Sequence, residues 1–584
     1  MIEETNAPTG SWNLGESMAE RYGISVDVGT SGTRMHALDL GTGKIISTAM
    51  TVRHPVPGMN IMDHLTFCIE VDRNVASRLL IDTANRLMKL LGVDLKKVER
   101  MAICGNPIQL SIFQNMEIQD LAFAGERAWK VRGVELQKRD AKVIKAVDLG
   151  LEVNPEADLY VPPAIKHEIG ADALAMMVKT GLLERKEDCL VTDYGTNAEM
   201  ALKVGDEIYT GSAAAGPAIE GQHIKHGMLA SPGAISDLDF EFQWRCKVLD
   251  DTLMVQNGDL VDPSTGVTAD EGPMHGKAIG ITGTGVIAAI ALGLETNLIK
   301  TPNILTNDQM IHLMDGIVIT NHDFHEAAKT FGAMRAGHFT LLEHAGIKFE
   351  ELDSMYMSGA SGTYVDALKA QKVGLIPPTF DTVYQVGNTS LALATDIVRD
   401  PEWMDRLQTI ANGIRSNHVM FATDKVFEHI FIQELAYWQE GMPIEAYNMM
   451  LRMEDIQELP TKIRKCTVKK LVERDIPVLG DKGLRILRDI GVEVEGSFPG
   501  CTGCQRCLEE CPERAITIER TGQKQFQICV ASDLCGGTAC MRCERICPEK
   551  VFKFRGLKIG GAKVGRTEAP KPSGAKKRKK SVRS

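Results

Sequence analysis

The stretch "GISVDVGTSGTRMHALDLGTGKIISTAM", residues 23–50, decides the fold expected for this chain. It predicts an apolar strand ending at Asp27, a turn of small residues, a second strand to Leu40, a Gly-Thr-Gly turn and a third strand. Glycines let backbone N–H groups approach phosphate oxygens, hydroxyls add donors, and a carboxylate can orient hydrated Mg²⁺. The stretch therefore predicts a phosphate and metal site made of Asp27, Gly29, Thr30, Ser31, Gly32 and Thr33.

The same order recurs in "CLVTDYGTNAEMALKVGDEIYTGS", residues 189–212. An apolar strand ends at Asp193, and a turn of Gly195, Thr196 and Asn197 follows. Because Asp193 stands 166 positions after Asp27, the spacing suits two domains of like topology that face each other across a cleft. Two unrelated hairpins are the alternative. Paired units of this kind would hold a triphosphate from both sides.

Two other glycine-rich stretches fit a nucleotide cleft. "GITGTGVIAAIALGL" from Gly280 contains Gly283 and Gly285, and "MYMSGASGTYVDAL" from Met355 contains Gly359 and Gly362. Each predicts a tight turn before a helix, where a base and a ribose can lie close to the backbone. Neither is a Walker A loop, because no Gly-Lys-Ser or Gly-Lys-Thr follows the glycines.

The cysteines are concentrated near the C-terminus, with nine of the 14 between Cys501 and Cys547. The spacing C-x2-C-x2-C-x3-C-P is typical of a two-cluster ferredoxin, in which the cysteine before the proline serves the other cluster. On this rule the first [4Fe–4S] cluster takes Cys501, Cys504, Cys507 and Cys547. The second takes Cys511, Cys535, Cys540 and Cys543.

Two alternatives to this ligand assignment stay open. Cys535 precedes Cys540 by x4 where the motif has x2, so Cys529 competes with it for the second cluster. A zinc ribbon is the other reading, although zinc sites pair cysteines two by two, without the three-and-one grouping and the trailing proline. A disulfide framework is not expected in a cytoplasmic chain.

The chain resembles a known family. The pattern from Ile24 to Arg34, followed by "DYGTN", "GITGTG" and "SGASG", is similar to the superfamily of sugar kinases, Hsp70 and actin. "GSAAAGPAIEGQHIKHGMLASPGAI" and "VGNTSLALAT" resemble reductive activators of corrinoid proteins, above all the archaeal activators for methylamine methyltransferases. The resemblance implies a two-lobed α/β ATPase of RNase H-like repeats with a C-terminal α+β ferredoxin domain that holds two [4Fe–4S] clusters.

The resemblance also implies a function. Such activators use ATP, Mg²⁺ and a low-potential electron to return the cobalt of a corrinoid methyl-carrier protein from Co(II) to Co(I), here in methylamine-dependent methanogenesis. Asp27 and Asp193 would organise Mg²⁺ and the attacking water, and Glu220, an acid beside a Gly-Pro break, is the candidate base. An ATP-dependent activator of a radical dehydratase and a non-enzymatic ferredoxin scaffold are the competing interpretations.

Composition and length fit several soluble domains. The chain has 584 residues, 44% hydrophobic and 24% charged, and a net charge of −11 that argues against nucleic-acid binding. Its start lacks the pattern of a signal peptide and its longest uncharged run, residues 278–294, is short for a membrane span, so a cytoplasmic protein is expected. The predicted units are an extension (1–20), the first lobe with an insertion (21–185), the second lobe (186–455), a linker or small subdomain (456–496), the ferredoxin domain (497–555) and a basic disordered tail (556–584).

Overall fold

The computed structural model describes residues 20–123, 126–165, 169–221, 223–414, 416–460, 462–511 and 513–559. The predicted N-terminal extension, except Glu20, and the basic tail beyond residue 559 lie outside the described residues. In the part of the chain that is described, no helix is both long and apolar enough to cross a bilayer.

The first lobe is built on a sheet whose first three strands form an antiparallel meander and whose fourth strand runs parallel to the first. Its strands are β1 (Tyr22–Val28), β2 (Thr33–Asp39), β3 (Ile45–Thr51), β4 (Val98–Gly105), β5 (Lys142–Lys145) and β6 (Asp158–Val161). Its helices are α1 (Ile61–Phe67), α2 (Arg73–Leu90), α3 (Pro107–Phe113), α4 (Gln119–Ala122), α5 (Glu126–Arg132) and α6 (Ala171–Lys179). Every residue of β1 after Tyr22 is buried, as expected for a central strand covered on both faces.

The second lobe repeats this arrangement and adds a five-stranded sheet. Its strands are β7 (Cys189–Asp193), β8 (Ala198–Val204), β9 (Glu207–Ala213), β10 (Ala234–Phe240), β11 (Trp244–Leu249), β12 (Val255–Val261), β13 (Thr268–Asp270), β14 (Gly280–Ile281), β15 (Ile299–Lys300), β16 (Asn303–Ile304), β17 (Met310–His312), β18 (Val318–Thr320), β19 (Ser354–Ser358), β20 (Thr382–Gly387), β21 (Ser416–His418) and β22 (Thr467–Lys470). Its helices are α7 (Gly283–Glu295), α8 (Asn321–Ala345), α9 (Gly359–Tyr364), α10 (Ala367–Lys372), α11 (Thr389–Arg399), α12 (Trp403–Gly413), α13 (Lys425–Glu440) and α14 (Ile444–Met453).

The two large sheets share one topology over six of their seven strands and differ at the seventh, since β5 is antiparallel to β6 and β22 is parallel to β20. In the second sheet the order is β21-β9-β8-β7-β19-β20-β22, so the meander β7–β9 and the parallel strand β19 match β1–β3 and β4. Because β1 runs parallel to β4 and β7 runs parallel to β19, the carboxyl ends of each parallel pair meet at one edge of their sheet. Asp27 and Asp193 lie at these edges.

The segment predicted as a linker or small subdomain, residues 456–496, joins both lobes by extending their sheets. Strand β22 pairs in parallel with β20 of the second sheet, and β23 (Leu484–Leu487) pairs in parallel with β3 of the first. The boundary between the lobes is also crossed by α11, which packs on the first sheet and places Thr395 Oγ1 2.9 Å from Ser25 Oγ. The lobes are therefore interleaved along the sequence, which spacing along the chain did not reveal.

The C-terminal domain is a small antiparallel sheet with short helices. Its elements are β24 (Glu493–Ser497), β25 (Ile516–Gly522), β26 (Gln525–Ala531), β27 (Lys558–Ile559), α15 (Arg506–Glu509), α16 (Gly537–Cys540) and α17 (Arg542–Ile546). The domain packs on the first lobe, where Phe554 meets Phe67 edge to face at 6.2 Å and Arg555 pairs with Glu70 at 2.8 Å. This contact places the cysteine loops beside the lobes.

Candidate nucleotide cleft and cysteine sites

The two predicted phosphate turns lie against each other. The turn after β1 is closed by a hydrogen bond from Gly29 N–H to the Gly32 carbonyl at 3.0 Å. Ser31 Oγ of this turn lies 3.3 Å from Thr196 Oγ1 of the turn after β7. Since the turns belong to different lobes, their contact places the predicted phosphate-binding groups on the two sides of one cleft.

Glu220 joins the two turns. It ends a short helix, 217–220, and its carboxylate accepts hydrogen bonds from the Ser31 hydroxyl, the Thr196 hydroxyl and the Thr196 N–H, the last at 3.1 Å. The Glu220 carboxylate therefore lies between the two turns that the sequence predicts to bind phosphate.

Several buried carboxylates lie close to one another near these turns. Burial raises the pKa of Asp193 to about 7, and the charge of Asp172 adds to the effect. Burial likewise raises the pKa of Asp172 to about 6, with a contribution from Asp27. Burial and the two neighbouring acids Asp172 and Asp193 raise the pKa of Glu199 well above its ordinary value. Acids that raise one another's pKa are a donor set suited to Mg²⁺, whose charge would keep them ionised.

The cysteines form two groups that combine residues from both halves of the motif. Cys501, Cys504, Cys507 and Cys547 line one small cavity, which the domain's own Ile518, Ile528 and Phe552 close. Cys511, Cys535, Cys540 and Cys543 line a second, much larger cavity. The two groups have the same members as the two predicted ligand sets, including the exchange of the cysteines before the prolines.

The structure also separates Cys535 from its competitor. Cys529 is buried in the middle of β26, opposite Glu495 and Thr517 of the neighbouring strands. Cys535 lies in the loop after β26, and burial with the neighbouring thiols of Cys543 and Cys511 raises its pKa to about 12. A thiol in this setting ionises when bound iron supplies positive charge.

Each cysteine group has the number of thiols that a [4Fe–4S] cluster takes. Four cysteines line the small cavity and four line the large one. Iron–sulfur clusters of this type are held by four cysteine thiolates.

Comparisons with known proteins agree with this architecture. The model described as the C-terminal domain of RACo, the ASKHA domain, matches residues 187–448, and the model of the RACo middle region matches residues 22–185. The chain belongs to the RACo family. The predicted resemblance and fold class are thereby confirmed, and both matched ranges end before the cysteine-rich domain.

The relatives of this RACo-family chain are named as reductases or activators of corrinoid proteins. The [Co(II) methylated amine-specific corrinoid protein] reductase of Methanosarcina barkeri is 49% identical over 507 residues, which is 86% of this chain and 93% of the relative. The corrinoid activation enzyme RamQ of Eubacterium limosum is 25% identical over 72% of this chain and 71% of its own length. A solved reductive activator for a corrinoid iron–sulfur protein has the same fold, with a TM-score of 0.60, 22% identity, and coverage of 72% of this chain and 67% of that one.

Sequence reasoning assigned no role to the residues that hold Asp27. Asn388 Nδ2 donates to Asp27 Oδ2 at 2.7 Å, while Asn388 Oδ1 caps α11. Arg34, the partner of Asp27 in the β1–β2 register, lies 3.8 Å from its carboxylate and donates to Asp475 at 3.1 Å. Arg34 and Asn388 stand in the stretches that carry the family resemblance, which was the available signal.

Asp172 was missed altogether. It lies in the first turn of α6, between the two predicted repeats, and nothing in its local sequence marks it as a ligand. Only the packing of the lobes brings it to Asp193. Its contribution could be recognised only from tertiary structure.

The four glycines of the two additional glycine-rich stretches, Gly283, Gly285, Gly359 and Gly362, differ in how closely neighbouring atoms pack against them. Gly359 has φ +85°, and a Cβ there would collide with Asp193 Oδ1. A Cβ at Gly283 would collide with the Ile219 carbonyl beside Glu220, and one at Gly285 would lie 2.5 Å from the Ile235 carbonyl. Gly362 has more room, with its nearest neighbour atom at 3.3 Å. Gly359 and Gly283 therefore allow the backbone to approach the acidic residues of the cleft.

A large cavity connects the nucleotide cleft to the second cysteine group. Its volume is about 1150 Å³, and both lobes and the C-terminal domain line it. Ser31 and Gly221 reach it from the cleft, and Cys535 and Cys540 reach it from the cysteine loops. The cleft and one of the two predicted clusters thus open into the same space.

Proposed function

We propose that this protein reduces the cobalt of a corrinoid protein from Co(II) to Co(I) in an ATP-dependent reaction. The observation that carries the proposal is the cavity shared by the Ser31 turn and the second cysteine group. Membership of the RACo family and the names of the relatives support it. The 49% identity to the methylated amine-specific reductase favours a corrinoid protein of a methylamine methyltransferase system as the partner.

Two [4Fe–4S] clusters, when bound by the two cysteine groups, would supply one-electron carriers of low potential. The chain's own residues then determine the direction of electron flow. Cys504 of the first group is exposed, whereas the second group lines the large cavity between the lobes and the C-terminal domain. We infer that the electron donor approaches Cys504 and that the corrinoid protein approaches Cys535 and Cys540.

The nucleotide cleft would provide the energy. A one-electron step that is uphill by about 300 mV needs roughly 7 kcal/mol, because each tenfold change in equilibrium corresponds to about 59 mV. Asp193 and Asp172 would hold Mg²⁺, with Asp27 oriented by Asn388. Glu220 would release Ser31 and Thr196 to the phosphates and take part in orienting the attacking water.

Anaerobic visible spectroscopy of the Co(II) corrinoid protein of a methylamine methyltransferase tests this function. The complete protein with Mg-ATP and a reduced donor should produce the Co(I) spectrum, and omission of ATP should abolish it. Cys540→Ala should prevent Co(I) formation. Cys246→Ala, which changes a buried thiol in β11, should not. Formation of Co(I) at the same rate without ATP would reject the proposal.

A further inference from the structure

A buried chain of polar side chains begins at the first phosphate turn. Asn106 Nδ2 donates to Thr30 Oγ1 at 3.2 Å, and Asn106 Oδ1 accepts from the Gln109 backbone N–H at 2.9 Å as the N-cap of α3. Gln109 Oε1 then lies 3.0 Å from His54 Nε2. All four residues are buried, and Gln109 has no exposed surface. The turn is therefore linked by polar contacts to the loop that follows β3.

The orientation of the Gln109 amide is fixed by two histidines. Gln109 Nε2 lies 2.7 Å from His64 Nδ1, and the His54 and His64 rings stack at 4.1 Å. Burial lowers the pKa of His54 to about 4, so its ring is neutral, and its Nδ1 accepts the Val56 N–H at 3.2 Å. With Nδ1 an acceptor, His54 Nε2 must carry the proton that the Gln109 oxygen accepts. Each nitrogen or oxygen in this chain of contacts can act only as the donor or only as the acceptor of its hydrogen bond, so displacement of one side chain moves the next.

The far end of this chain reaches the second cysteine group. Two residues after Val56, the Gly58 N–H donates to the Cys535 carbonyl at 3.0 Å. Gly537 fits closely against the same loop, since a Cβ there would lie 3.0 Å from the Pro57 carbonyl. The first cysteine group is held within its own domain, for example by the bond from Cys501 N–H to the Phe498 carbonyl at 3.0 Å. The two cysteine groups thus differ in their connection to the nucleotide cleft.

We propose that Gln109 and His54 are positioning residues that transmit the nucleotide state of the Thr30 turn to the Cys535 loop. The inference rests on the proposed function, because it explains how the nucleotide cleft acts on one cysteine group. A nucleotide that engages the Thr30 turn shifts Asn106, and the rigid Gln109–His54 contact carries this shift into residues 56–58. The Cys535 loop follows through Gly58. The loop of Cys501, Cys504 and Cys507 does not respond.

Hydrogen–deuterium exchange of the complete, cluster-loaded protein tests this transmission. A non-hydrolysable ATP analogue with Mg²⁺ should change exchange in residues 531–543 about tenfold, within the range typical of coupling between sites, and leave residues 499–509 unchanged. In Gln109→Leu the change at 531–543 should fall to less than about twofold, while the affinity for the analogue changes less than about threefold. Gln114→Leu is the matched control, because Gln114 caps the same helix by a bond to the Leu110 carbonyl outside this chain of contacts.

A second pair of variants covers the case in which Gln109→Leu does not fold. His54→Gln keeps a donor for Gln109 and should retain the nucleotide response, whereas His54→Leu should lose it. A full response in Gln109→Leu or His54→Leu, or no response in the nucleotide-bound wild type, would overturn the inference. A wild type that responds but never reduces the corrinoid protein would support the transmission and contradict the proposed function instead.

Discussion

The turns around Asp27 and Asp193 share one backbone plan and differ in charge balance. Both aspartates lie at the end of a central strand with an antiparallel neighbour on one side and a parallel neighbour on the other. Burial raises the pKa of Asp27, and Arg34 and Asn388 offset part of that rise. Around Asp193, Asp172 adds to that effect of burial. A repeated sequence pattern therefore reproduces geometry, while the neighbours from elsewhere in the chain set the chemistry of each copy.

The largest expected effect tests whether both copies are needed for catalysis. Asp27→Ala and Asp193→Ala should each lower Mg²⁺-dependent ATP hydrolysis by about 10²–10³, the cost of removing one preorganised group at a reacting phosphate. Iron content and reduction by dithionite should be unchanged, because the clusters belong to another domain. Steady-state phosphate release measures the effect. Normal hydrolysis in either variant would show that its turn is not part of the site.

Arg34 neutralises the carboxylates around Asp27, so its removal should destabilise the protein. Arg34→Met leaves the buried carboxylates of Asp27 and Asp475 without their cation and should lower the free energy of unfolding by about 3–5 kcal/mol. Arg21→Met is the matched control, because the Arg21–Glu99 pair at 2.6 Å is exposed and should contribute little to stability. Urea unfolding followed by tryptophan fluorescence compares the two. Equal losses in both variants would mean that Asp27 does not depend on its cation.

The acidic surroundings of Asp193 predict that nucleotide binding depends on pH. Protons compete with Mg²⁺ for Asp193 below its pKa of about 7, so the affinity for Mg-nucleotide should fall about fivefold from pH 7 to pH 6 beyond the titration of the nucleotide itself. Above pH 7 the affinity should level off. Asp193→Asn should lose the fall in affinity centred near pH 7 and retain the titrations of the nucleotide and of Asp172, as measured by calorimetry. Identical pH profiles for this variant and the wild type would assign the titration elsewhere.

The smallest effect contrasts the two aspartates directly. Burial raises the pKa of Asp193, so the native state binds the extra proton, and stability of the metal-free protein falls as pH rises from about 4 to about 7. Asp193→Asn should therefore raise the free energy of unfolding at pH 8. Asp27→Asn should raise it by less, because Arg34 and Asn388 offset part of the effect of burial on the Asp27 carboxylate. A smaller gain at Asp27 would sharpen the comparison, and equal gains in the two variants would break it.

The sequence predicted those features of the molecule that depend on local residue patterns. The strand–turn–strand repeat predicted that Asp27 and Asp193 lie at facing turns, and the cysteine spacing predicted which cysteines lie together in each group. It left Cys529 and Cys535 unresolved because that choice depends on where β26 ends, and it missed Asp172 because α6 meets the cleft only through packing of the lobes. The sequence also did not predict that residues 456–496 extend both large sheets, because the sequence of a four-residue edge strand resembles that of a linker.

The placement of β23 beside β3 has a consequence for the protein during its synthesis. The first sheet begins at residue 22 but gains its last strand only at residue 487. At 5–20 residues per second, roughly 25–90 s separate these events on the ribosome. Throughout that time the outer edge of β3 presents unpaired backbone groups, the kind of surface on which chains associate. Rapid translation or a chaperone that covers this edge should therefore raise the yield of native protein.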